Sequence, residues 1–137
     1  METDTRRSAY GERPDYRVGL LARTNVMTAR LGGTQLARSD ETLVADEQDH
    51  GLVVYLPPGA VDFSLLTPVE LHTVCPFKGL ASYWTAPGSG REWVAWSYPD
   101  PFPQVARLAG YVAFDQETVS VAMGGGRYTG IRPWAGA

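Results

Sequence analysis

The chain has 137 residues, 44% of them hydrophobic, and a net charge of −3. That length suits one domain, able to bury about two-thirds of its unfolded surface without staples, and that charge offers no overall basic field to nucleic acid or an anionic membrane. The single cysteine excludes an internal disulfide and an all-cysteine zinc site within one chain.

Residues 1–15 are polar and aperiodic, which predicts a disordered N-terminal arm ahead of a single domain over 16–123. Alternation predicts a strand over 26–31, and Gly32-Gly33 turns it into a second arm over 34–38. A short strand follows over 42–46. The acidic turn 46–51, with Glu47 and His50, reads either as a solvated loop or as a carboxylate–histidine metal cluster, and the loop is the expectation. Residues 52–56 form an apolar run, predicted as a buried strand that Pro57-Pro58-Gly59 stops, because proline has no N–H for the ladder. One helical turn is expected over 62–66. Residues 69–74 alternate, and Cys75-Pro76 breaks them off. Strands over 79–84 and 91–98 should pair as an antiparallel hairpin across the turn-rich loop 85–90. Asp100-Pro101 is a helix start, and Val105, Leu108 and Ala109 have the spacing of one short amphipathic helix over 101–109, with Gly110 at its end. Strands over 111–114 and 118–123 complete a mainly β domain, and 124–137 read as a loop tail. No apolar h-region and no run of about 20 apolar residues is present. Together with a free thiol, this gives the expectation of a cytoplasmic protein that does not enter a membrane.

The chemistry concentrates in Cys75-Pro76-Phe77-Lys78-Gly79-Leu80-Ala81-Ser82-Tyr83-Trp84. It holds the one cysteine and the one lysine of the chain, three residues apart. Period two puts Gly79, Ala81 and Tyr83 on one strand face and Leu80, Ser82 and Trp84 on the other. In the next strand Val94, Trp96 and Tyr98 share a face, opposite Trp93, Ala95 and Ser97. Small residues beside large rings either leave room for a flat ligand or are filled by the rings as core. The ligand reading takes Tyr55, Tyr83, Trp84, Trp96 and Tyr98 as walls, Lys78 as polar anchor and Glu47 nearby. The alternative for Lys78 is a structural pair with a carboxylate such as Glu47, or a Schiff base if it is desolvated. Cys75 is either a small buried hydrophobe or a nucleophile, the latter needing a base or positive charge beside it. His72 meets it only if the chain turns before Pro76. Gly124-Gly125-Gly126 lacks the lysine of a phosphate-binding loop. One cysteine and two histidines predict no structural zinc, and no cofactor is indicated. The expected partner is a small molecule of unknown identity, with a homodimer left open.

Several segments together are similar to a known family. They are Leu31-Gly32-Gly33 with Ala37 and Ser39; Glu47; Val54-Tyr55 with Pro57; Thr73 with Cys75-Pro76-Phe77-Lys78-Gly79 and Ala81-Ser82-Tyr83-Trp84; Val94 to Pro101; and Ala109 to Phe114. Over about residues 16–121 the chain resembles domain of unknown function 427, also labelled nucleotidyltransferase-like. The resemblance implies a compact fold of two antiparallel sheets meeting at an angle, like the β-tent architecture in which other proteins cage small ligands with tryptophans. The cysteine pairs that bind zinc in many such proteins are absent. The resemblance brings no settled reaction. Nucleotidyl transfer ordinarily uses paired carboxylates holding Mg²⁺, and the sequence has no D-x-D pair beside a glycine-serine turn.

Overall fold

A computed structural model describes residues 8–123. Ten strands run β1 (Val18–Arg23), β2 (Met27–Leu31), β3 (Thr34–Ser39), β4 (Thr42–Glu47), β5 (Gly51–Tyr55), β6 (Thr67–Cys75), β7 (Gly79–Thr85), β8 (Ala95–Ser97), β9 (Val112–Phe114) and β10 (Ser120–Met123). All pairings are antiparallel, in three sheets ordered β1-β4-β5, β10-β2-β3 and β6-β7-β8-β9. The mainly β class is as expected, with three sheets in place of two. The first and third sheets are tied where β5 runs on: Leu56 and Val112 exchange both backbone hydrogen bonds at 2.8 Å.

The hairpin β2–β3 turns on Gly32, whose φ of +60° suits a residue without Cβ. The hairpin β7–β8 pairs Ser82 with Ser97, Tyr83 with Trp96 and Trp84 with Ala95. Strand β8 is shorter than the 91–98 expectation. Around Pro87, Gly88 and Gly90 the chain turns, and Val94 rejoins the ladder, its N–H donating to the Trp84 carbonyl and its carbonyl accepting from the Asp115 N–H, both at 2.8 Å. Strand β1 was not expected as a strand. The helix expected over 101–109 is a 3-10 segment, Pro103–Leu108, interrupted at Val105 (φ −128°, ψ 34°). Val105 and Leu108 still face inward, as their spacing predicts.

Alternation along β7–β9 divides the interior in two. Trp84, Ala95 and Phe114 face a first core with Leu36, Leu56, Val94 and Val119. Tyr83, Trp96 and Ala113 face a second core, closed from the other side by Leu43, Ala45 and Tyr55 of the first sheet and by Val105 and Leu108. Burying each of the larger aliphatic side chains contributes roughly 1.5–3 kcal/mol.

The arm expected to be disordered over 1–15 is placed from residue 8 onward; residues 1–7 lie outside the described residues. Ala9–Gly11 form a 3-10 turn. The Ala9 N–H donates to the Pro76 carbonyl at 2.8 Å, and the Tyr10 hydroxyl donates to the Phe77 carbonyl at 3.1 Å. Aromatic residues at 10 and 16 find Phe77, and that offsets the ordering cost of a polar segment. The tail 124–137, with the run Gly124-Gly125-Gly126, lies outside the described residues. No helix among the described residues is long and apolar enough to cross a membrane.

Candidate functional site

The second core is not sealed. Where β4, the β6–β7 turn and β8 approach one another, it opens into a cleft of about 320 Å³.

The floor begins with β4. Its alternation buries Leu43 and Ala45 and carries Glu47 inward on the same face, where the residue is only 6% exposed. A buried carboxylate needs partners, and Glu47 has two. The Lys78 ammonium donates to Oε1, and the Tyr16 hydroxyl donates to Oε2 at 2.5 Å. Lys78 reaches this point because Cys75-Pro76-Phe77-Lys78 is a turn, closed by the Lys78 N–H to the Cys75 carbonyl at 3.2 Å and held from outside by the Phe102 N–H to the Lys78 carbonyl at 3.0 Å. Lys78 is 7% exposed. Its Nζ also lies 3.8 Å from Cys75 Sγ, so the ammonium stands between a carboxylate and a sulfur. Tyr16 is fixed in turn by stacking on Phe77, with ring centroids 3.7 Å apart and planes within 8°.

These contacts set the charge states. Burial pushes the Glu47 carboxyl up, but the hydrogen bonds from Lys78 and Tyr16 and the charge of Lys78 outweigh it and hold the group below the usual carboxylate range. Burial, then the bond to Glu47 and its charge, push the Tyr16 hydroxyl well above its ordinary value, so it stays a donor. Burial, followed by the neighbouring Tyr55, Cys75 and Tyr83, does the same to Tyr98.

The walls are aromatic. Tyr55 comes from β5 and accepts from Trp96 Nε1–H at 3.3 Å. Trp93 stands edge-on to Trp96 at 5.9 Å and 87°, and against Tyr83 at 5.1 Å and 63°. The Tyr83 hydroxyl shares a hydrogen bond with Thr73 Oγ1 at 2.7 Å. His50 lies at the mouth, with Nε2 3.7 Å from Glu47 Oε2.

Of the residues singled out in the sequence, Glu47, Tyr55, Cys75, Lys78, Tyr83, Trp96 and Tyr98 meet at this cleft. Trp84 does not. It lies on the opposite face of β7, against the first core and Phe63, with the rings 5.5 Å apart. Strand alternation separates it from Tyr83, so it cannot share a wall with Trp96. His72 is also elsewhere: a bulge in β6 between Val69 and His72 and the pairing of His72 with Ser82 turn it away from Cys75, and Nδ1 lies 3.2 Å from the Ala81 carbonyl. The structural pair between Lys78 and Glu47 and a place in the cleft are both realised, since the pair forms the floor. Three residues escaped the sequence reading. Trp93 was assigned the far face by period two, but it precedes the start of β8 and folds back onto Trp96. Tyr16 directly follows the arm, and its one signal is an aromatic residue just before the first strand. His50 had been read as part of a solvated loop or of a metal cluster, with the loop expected, and not as a wall of a cleft. Among the described residues no group of three or more His, Cys, Asp and Glu side chains gathers as a metal site.

A floor with one negative and one positive group, under aromatic walls, offers both a donor and an acceptor to the polar end of a flat molecule. A family described as a domain of unknown function (DUF427) matches residues 19–125. No curated protein matches the chain.

Proposed function

The chain belongs to the DUF427 family, and from that premise we propose that it is a small-ligand-binding domain whose site is the cleft between the first and third sheets. The observation that carries this reading is the meeting of a buried Glu47–Lys78 pair with five aromatic side chains at an opening to solvent. Binding pockets typically combine apolar walls with a few aimed polar groups, at volumes from about 300 Å³ upward. A buried ion pair is a poor stabiliser, because desolvation offsets most of its attraction and packed apolar groups often serve as well. Its retention at the floor of an open cleft therefore favours recognition over architecture. Lys78 has three N–H donors; one goes to Glu47 and one points toward Cys75, which leaves one for a carbonyl or anionic oxygen of the ligand. The flat body of the ligand lies against Trp93 and Trp96.

The transferase label of the family gains no support from this cleft. Glu47 is the one carboxylate lining it, already engaged by Lys78 and Tyr16, whereas metal-assisted phosphoryl chemistry uses carboxylates free to hold the ions.

The test is a fragment screen followed through the indole N–H signals in NMR spectra. Planar fragments bearing a carbonyl or carboxylate should shift Trp93 and Trp96 while leaving Trp84 in place, and Lys78→Met should weaken those same fragments. A screen in which no fragment moves Trp93 or Trp96 sinks the reading.

A further inference from the structure

The cleft holds a nucleophile as well as a recognition surface. Cys75 ends β6 with Sγ facing the same opening as Lys78 and Glu47, and Lys78 Nζ bridges the other two: it donates to Glu47 Oε1 and lies 3.8 Å from the sulfur. The parts are held from several directions. The β6–β7 turn fixes the spacing of Cys75 and Lys78, β4 fixes Glu47, and the Tyr16 hydroxyl occupies the other carboxylate oxygen, so that Oε1 faces Lys78. A covalent nucleophile, a donor aimed at the developing oxyanion and a third group that holds that donor in place are recurring parts of acyl-transfer sites, recognised by geometry and not by chain order.

We propose that Cys75, Lys78 and Glu47 form an acyl-transfer centre that hydrolyses small esters or amides of aromatic or heteroaromatic acids through a thioester on Cys75. The proposal rests on the cleft being a small-molecule site. In the first step the thiol proton passes to solvent at the opening, and the thiolate is left beside the Lys78 ammonium, which Glu47 holds in place. The sulfur attacks the carbonyl carbon, an S–C bond forms, and the π pair moves to the oxygen beside the free N–H of Lys78. The pair then returns, the bond to the alkoxide or amine breaks, and the leaving group takes a proton from solvent water. In the second step water attacks the thioester carbon and loses its proton to solvent, the C–S bond breaks, and the Cys75 thiolate recovers a proton from solvent as the acid leaves. No oxidant or cofactor enters the balance. The aromatic walls select the acyl group, and the cleft volume of about 320 Å³ limits it to one or two fused rings.

The test uses 4-nitrophenyl benzoate as substrate and benzamide as a slowly reacting probe of binding. A burst of about one equivalent of nitrophenolate is expected, with a benzoyl group mapped to Cys75 by mass spectrometry and the burst slowed by benzamide. Cys75→Ala should abolish it. Lys78→Met should slow acylation at saturating ester by at least about 100-fold, the scale of a lost oxyanion donor. Because that variant can disturb the floor, acylation of the unaltered protein is also compared with and without guanidinium chloride: the folded protein must react faster than the unfolded one. A benzamide shift at Trp93 and Trp96 with no benzoyl–Cys75 adduct overturns the acyl-transfer centre and leaves the binding reading standing. Acylation equally fast in the unfolded chain overturns it too, since that is ordinary thiol reactivity. Absence of both the shift and the adduct removes the inference together with the reading beneath it.

Discussion

Tyr16→Phe removes one oxygen atom and little else. The phenyl ring keeps its stack on Phe77 at 3.7 Å, and what is lost is the hydroxyl donated to Glu47 Oε2. Both partners are buried, at 5% and 6% exposure, so water does not replace the donor freely. A hydrogen bond to a charged group contributes about 1.5–3 kcal/mol. With an unfolding entropy of roughly 2.1 cal/mol/K per residue, 1 kcal/mol shifts the Tm of a chain this size by about 3–4 °C, so the expected fall is about 5–12 °C at neutral pH. The pH dependence discriminates further. Glu47 has a folded-state pKa below its ordinary value of 4.5. Its contribution to stability is therefore fully present above about 4.5 and is lost as pH falls through the folded value. Without Tyr16's hydroxyl one of the two lowering hydrogen bonds is gone and burial still pushes upward, so acid unfolding should begin at higher pH in the variant. Thermal melts followed by circular dichroism from pH 3 to pH 8 measure both. The gap between the two proteins should narrow as falling pH begins to protonate Glu47. A gap that stays constant across that range would refute the reasoning, because the hydroxyl would then be acting through packing and not through the carboxylate.

Leu108 is fully buried in the second core, and Leu108→Ala should cost about 2–5 kcal/mol, read as a lower midpoint in urea; a midpoint unchanged within error would show that the 3-10 segment does not close that core. Dialysis against EDTA should leave the melting temperature and the tryptophan fluorescence unchanged, and one equivalent of zinc surviving it would mean that ligands beyond the described residues had been overlooked.

Much of the cleft was legible because it sits on regular strands. Period two alone joins Tyr83 to Ala81 and Trp96 to Tyr98, and the hairpin between them follows from the turn residues at 85–90. The same rule shows why Trp84 was misassigned: proximity in sequence to Tyr83 placed it in the wall, although alternation already put it on the other face. Where the backbone leaves regular geometry the rule fails. Trp93 stands outside β8, and the bulge in β6 displaces the pattern around His72. Strand β1 was hidden because Val18-Gly19-Leu20-Leu21 does not alternate cleanly, and its pairing with β4 is long-range. The arm was invisible for another reason. Its order comes from Phe77, more than sixty residues away along the chain, and no local composition can report such a contact.

The burial of Lys78 turns the chain into its own reporter. Apart from the N-terminal amine, this sequence carries a single amine for reductive methylation, and the folded protein holds it at 7% exposure against the carboxylate of Glu47. Modification of that one amine requires Lys78 to come away from Glu47, since the paired ammonium has no free electron pair to react. Under conditions where reclosing outpaces labelling, the rate measures the free energy of that local opening. One mass peak then follows the breathing of the cleft without an engineered probe, and any molecule that settles on the floor should slow the appearance of that peak.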